Sequence, residues 1–131
     1  MAGIAVTEET FEREVLASEQ PAIVDFWAPW CAPCLAVAPV LEGIAWEHVG
    51  EVKLVNVDID EEPGLAIRYG ISSIPTIVRF EGGAPVAVAV GFRGKRHLEE
   101  DLGLAPREAW SSAPESGRLR RLLSRLGGRS Q

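Results

Sequence analysis

Two cysteines two residues apart, where an apolar run of strand character gives way to one of helical character, constrain this chain more than any other feature. They lie in Phe26-Trp27-Ala28-Pro29-Trp30-Cys31-Ala32-Pro33-Cys34 and are the only cysteines present. Thiols at that spacing at a helix start form either half of a four-ligand metal site or a reversible dithiol/disulfide pair. A closed structural zinc site needs four Cys or His ligands, and the other candidates, His48 and His97, stand far apart in the sequence. No metal is therefore expected. A structural disulfide closing so short a loop would add little through chain entropy. The spacing points to redox chemistry, with the structural bridge as the plainer alternative.

At 131 residues and 47% apolar, the chain is long enough for one domain with its own core. Met1 to Thr10 lacks the basic start and apolar run of a secretory signal, and no later window is long enough to cross a bilayer. The expected address is the reducing cytosol, where paired thiols are catalytic rather than structural. Net charge is -6, but residues 1 to 115 carry 8 basic and 19 acidic side chains, whereas 116 to 131 carry 5 arginines and no acid. An acidic body has no basic face with which to displace counterions from phosphates, so no nucleic-acid partner is expected.

Taken in order, Gly3 to Val6 reads as a short edge strand. Thr7 offers a hydroxyl cap to an amphipathic helix marked by Phe11, Val15 and Leu16. Ala22 to Ala28 is a near-continuous apolar run, the pattern of a strand covered on both faces. Asp25 interrupts it. A carboxylate in a buried strand is costly unless paired or protonated. Asp25 reads either as a proton-transfer group beside the dithiol or as an Asp satisfied by backbone or water in a less buried spot. After the cysteines, Leu35 to Ala45 continues a helix apolar over most of its surface, with a kink expected at Pro39. Glu51 to Val57 is a second central strand, Leu65 to Tyr69 a short helix stopped by Gly70, and Thr76 to Phe80 a strand entered through Pro75. Glu81 to Pro85 forms a hairpin loop to a partner strand, Val86 to Val90, and His97, Leu98 and Leu102 mark a last helix. Strand and helix alternation followed by a hairpin implies an α/β fold, a mixed sheet with helices on both faces.

These residues carry a resemblance to the thioredoxin family. It rests on Asp25 to Cys31, Pro33-Cys34, Pro39, Asp60 with Pro63-Gly64, Tyr69-Gly70-Ile71, Ile74-Pro75-Thr76 and Val90-Gly91, and runs from about Val6 to Leu104. The resemblance implies the thioredoxin fold and a protein-disulfide reductase. Cys31 would be the exposed attacking thiolate, Cys34 the buried resolving thiol, and Asp25 the group that moves the Cys34 proton. Pro75 would be cis and packed against the dithiol. Trp30, Ala32, Pro33, Ile59, Ile74, Pro75, Val90 and Gly91 would meet the substrate, while Trp27 and Trp46 are read as plain core. It implies no bound cofactor, with reducing equivalents from a thioredoxin reductase, and disulfide-containing proteins as partners. The rival reading is a binding or chaperone module using the same apolar rim with little redox turnover.

Three positions depart from the family pattern. Ala32-Pro33 stands where Gly-Pro is usual, which implies a shifted reduction potential. Leu35 replaces the cation that commonly follows the second cysteine. Asn56 replaces a lysine often set opposite the buried aspartate, leaving burial alone to raise the Asp25 pKa. The domain is taken as residues 1 to 104. Residues 105 to 117, with Pro106, Pro114 and several serines, read as a linker, and 118 to 131 as a basic amphipathic tail in which Leu119, Leu122, Leu123 and Leu126 share one helical face. Its own domain, an acidic protein and an anionic membrane surface compete as the tail's partner. Without a cation at position 35, Cys31 is expected to be less acidic than in a typical family member. Alkylation of Cys31 followed against pH checks this, and an ordinary low midpoint would refute it.

Overall fold

The computed structural model describes residues 3 to 104, so the readings of the linker and the basic tail lie outside the described residues. Five strands form one mixed sheet in the order β1-β3-β2-β4-β5. β1 (Ile4–Ala5) and β2 (Ala22–Trp27) run parallel to β3 (Lys53–Asp58). β4 (Thr76–Glu81) is antiparallel to β2 and to β5 (Ala84–Val90). β2 is thus the middle strand.

Alternation along β2 sends side chains into two cores. Ala22, Val24 and Phe26 join Phe11, Val15, Leu65 and Phe80 on one face. Ile23 joins Val37, Leu41, Ile44, Ile77, Leu98 and Leu102 on the other. A strand buried on both faces needs apolar residues at every position, which explains its near-continuous run. The first face is covered by a π-helix (Glu12–Leu16) and α2 (Pro63–Arg68), the second by α1 (Ala32–Glu47) and α3 (Lys95–Leu102).

Several expectations are corrected in detail. The first helix is a single π-turn entered through bonds from Phe11 N and Thr10 N to Thr7, closed by Ala17 N to Glu12 O at 2.8 Å. Phe11, Val15 and Leu16 are four and five residues apart, and the wider turn lets all three reach the same core. β3 starts at Lys53 rather than Glu51, because Glu51 N and Val52 N donate to His48 O in the turn closing α1. α1 continues through Pro39, which is exposed, and buries one stripe, Cys34, Val37, Ala38, Leu41 and Ile44. Its other apolar residues face outward: Leu35 is exposed, and Trp46 is 75% exposed rather than core. The hairpin loop narrows to Gly82 and Gly83, both at positive φ, as a two-residue turn of matching twist requires.

Leu41 is 2% exposed at the center of the α1 contact with the sheet. Leu41→Ala is expected to lower unfolding free energy by about 2 to 5 kcal/mol. Urea denaturation with an unchanged m-value checks it.

Candidate active site

β2 and β3 stay in register to the Trp27–Asp58 pair, and Ile59 N donates to Trp27 O at 2.9 Å just beyond it. The chain then turns, Cys31 N donates to Ala28 O, and Cys31 takes the N-cap of α1 with an extended backbone. Ala32 and Pro33 open the helix, where proline is tolerated because an N–H there has no intrahelical acceptor. Cys31 Sγ accepts the Cys34 N–H at 3.2 Å. The two cysteines form a disulfide, with their Cα atoms 5.2 Å apart.

Accessibility differs from the expected exposed Cys31. In the bridged form Cys31 is 5% exposed and Cys34 is 0% exposed. Trp27, Ile59 and Ile74 pack against the cluster of Ala28, Cys31 and Cys34, which accounts for the covering. Cys31 remains the more accessible of the two.

Asp25 is fully buried, and neither carboxylate oxygen has a hydrogen-bond partner among the described residues. It lies two residues after Ile23 and therefore on the sheet face that carries α1. Its strand partners are Asn56 on β3 and Ile77 on β4. Asn56 occupies the position opposite Asp25, and Lys53 is turned to the other face, bonded to Glu14 Oε1 at 3.0 Å. With no cation opposite, burial lifts the Asp25 carboxyl from 3.8 to about 7. A cleft of about 460 Å³ lined by Gly3, Thr7, Trp27, Asn56, Asp58 and Glu61 reaches the strand positions beside Asp25.

The Ile74–Pro75 bond is cis. Ile74 packs on the cysteine cluster, the Thr76–Val90 pair sets Val90 beside this turn, and Gly91 N donates to Pro75 O at 2.8 Å. Gly91 has φ of 80°, a conformation that a side chain would strain. Trp30 is 68% exposed, and its indole Nε1 donates to Asp60 Oδ2 at 2.7 Å. Ala32 and Pro33 are exposed on the first turn of α1. Ile59 and Ile74 thus pack on the cysteine cluster, Trp30, Ala32 and Pro33 adjoin the cysteines in sequence, and Val90 and Gly91 adjoin the Pro75 turn. The sequence reading has Asp60 only as a motif residue beside Pro63-Gly64, and the structure adds its bond to the Trp30 indole.

Among the described residues no group of His, Cys, Asp and Glu is arranged to hold a metal ion, and no helix is long and apolar enough to cross a membrane. The thioredoxin family model matches residues 3 to 103. The chain belongs to the thioredoxin family. It is 50% identical over 101 residues to thioredoxin 1 of Nostoc sp., covering 77% of this chain and 94% of that protein. Against thioredoxin 1 of Synechococcus elongatus it is 50% identical over 98 residues, covering 75% and 92%. It is also 46% identical over 99 residues to the bifunctional thioredoxin reductase/thioredoxin of Mycobacterium leprae, covering 76% of this chain and 22% of that protein. The chain is a thiol-disulfide oxidoreductase of the protein-disulfide reductase type.

The Asp25 carboxyl makes stability depend on pH in a defined direction. Its folded-state pKa lies above the unfolded value, so the folded chain holds a proton that the unfolded chain releases between about pH 4 and 7. Stability falls as pH rises through that window, by about 4 kcal/mol in all. Asp25→Asn is expected to raise the melting temperature at pH 8 and leave it nearly unchanged at pH 4. Equal shifts at the two pH values would contradict the burial argument.

Proposed function

We propose that this chain reduces disulfides of other proteins in the cytoplasm, with Cys31 as nucleophile, Cys34 as resolving thiol and Asp25 as the proton-transfer group. The observation that carries the reading is Cys31 Sγ at the helix N-cap, accepting the Cys34 N–H. Partial positive charge at a helix N-terminus favors an anion there, so the same donor that meets the sulfur now supports a thiolate once the bridge is opened.

The chemistry balances as two successive exchanges. The Cys31 thiolate attacks one sulfur of a substrate disulfide, forms a mixed disulfide, and expels the other substrate sulfur as a thiolate that takes up a proton. Cys34 then loses its proton to Asp25 and attacks Cys31 Sγ, releasing the second substrate thiol and restoring the Cys31–Cys34 bridge. A carboxyl titrating at about 7 is matched to that transfer near neutral pH. The cleft beside Asn56 and Trp27 supports a water-borne route for the proton.

Substrate recognition falls to Trp30, Ala32, Pro33, Ile59, Ile74, Pro75, Val90 and Gly91. The exposed indole and valine offer apolar contact, and Ile74 offers backbone groups to an extended segment. Two electrons must be returned for each turnover, and no cofactor is invoked within the chain. An external thioredoxin reductase supplies them in this reading. A relative whose name joins reductase and thioredoxin supports that partner.

Insulin reduction driven by dithiothreitol tests the assignment. Cys31→Ser is expected to abolish it, and retained turnover would leave a binding module instead. Asp25→Asn is expected to slow exchange and remove the inflection near pH 7. Unchanged rates from pH 6 to 9 would dismiss the proton-transfer role.

A further inference from the structure

The parallel strands β1, β3 and β2 end at Ala5, Asp58 and Trp27, and all three residues line the cleft of about 460 Å³ beside Asp25. Ligands of open α/β sheets bind outside the carboxyl ends of such strands. Asn56, Glu61 and Glu62 line it too, and no basic side chain is among its lining residues. Asp58 Oδ1 accepts Asp60 N and Glu62 Oε1 accepts Glu8 N, each at 2.9 Å. Among the described residues no cation pairs with Asp58, Glu61 or Glu62. Lys53, the basic residue of β3, is turned to the other face and bonded to Glu14.

A second observation is independent of the carboxylates. Asn56 is 5% exposed, lines the cleft, and its amide oxygen has no hydrogen-bond partner among the described residues. A Cβ on Gly3, which also lines the cleft, would stand 2.5 Å from Asn56 Nδ2, so the amide projects into the space between β1 and β3. Its terminal torsion is roughly two-fold, and a half-turn sets the oxygen where the nitrogen stands. A buried acceptor without a donor is costly, and Asp25, in register with Asn56, has two more. This corner of the fold calls for a positively charged donor. We propose that the cleft binds an ammonium or guanidinium group, held by the Asp58 and Glu61 carboxylates, the Asn56 carbonyl and the Trp27 indole.

An organic cation suits this lining better than a metal ion. Among the described residues no group of His, Cys, Asp and Glu is arranged to hold a metal, whereas an aromatic face attracts weakly hydrated cations such as guanidinium. Residues 1 to 115, with 8 basic and 19 acidic side chains, raise the local concentration of positive ligands. Asn56 and Asp25 stand one strand spacing apart, about 5 Å. A cation bound at Asn56 therefore favors the ionized Asp25 carboxyl and opposes the lift that burial gives it. The group arrives either as a free amine or on a basic side chain of the substrate. Binding stands apart from the exchange steps proposed above; only an effect on rate rests on them.

Methylguanidinium chloride, added to the full oxidized chain at fixed ionic strength, tests the site by NMR. The Trp27 indole N–H resonance is expected to shift saturably, while that of Trp46, exposed near the end of α1, stays in place. The Asp25 carboxyl midpoint should fall by roughly half a pH unit or more. Glu61→Gln, at an exposed position, should weaken binding about threefold, and Asp58→Asn/Glu61→Gln should abolish it. Two peptide disulfides, with arginine or norleucine near the cysteine, separate the sources. A preference of about threefold for the arginine peptide, lost in Glu61→Gln, assigns the group to the substrate; equal rates alongside the indole shift assign it to a free amine. No shift together with no peptide preference, or a shift that sodium or magnesium chloride reproduces, would overturn the proposal. Failure to reduce either peptide would strike the exchange steps proposed above and leave the indole shift to decide the site.

Discussion

Burial of β2 between two helical layers is the constraint on which the rest depends. Each residue of the strand faces one core or the other, and its hydrogen bonds are taken by β3 on one side and β4 on the other. A strand held so firmly delivers its C-terminal end to one place. Cys31 therefore arrives at the start of α1, and Ile59 and Ile74 arrive from the neighboring strands to pack against it.

The same burial creates the electrostatic contrast at the site. One group, Cys31, sits at the N-cap of α1, where its sulfur accepts the Cys34 N–H. The other, Asp25, sits where burial disfavors it and no hydrogen bond compensates. The sulfur thus has a backbone donor and the buried carboxylate has none. The fold could have relieved Asp25 with a cation across the sheet. Asn56 stands there instead, and Lys53, three residues earlier, is on the opposite face by strand alternation.

The residues proposed as a substrate rim come from four segments that the sheet holds together. Backbone bonds do much of this: Ile59 N to Trp27 O and Gly91 N to Pro75 O join loops distant in the chain. One side-chain bond, from the Trp30 indole to Asp60, holds the large exposed ring in a defined pose.

Local patterning in the sequence was enough to determine the dithiol, the buried strand with its anomalous carboxylate, the hairpin glycines and the mixed-sheet order of elements. Those are properties of residue spacing and of φ, ψ preference. It misjudged Trp46, since an apolar residue on a helix with apolar neighbors does not declare which side meets the sheet. It also read an ordinary helix where a π-turn forms, because the distinction lies in how Phe11, Val15 and Leu16 pack rather than in their propensity. The covering of Cys31, the Asp60 bond to Trp30 and the open valine face of β5 were settled only by tertiary structure. Each depends on residues far apart in the chain being brought within a few ångströms, and single-sequence periodicity carries no information about that distance.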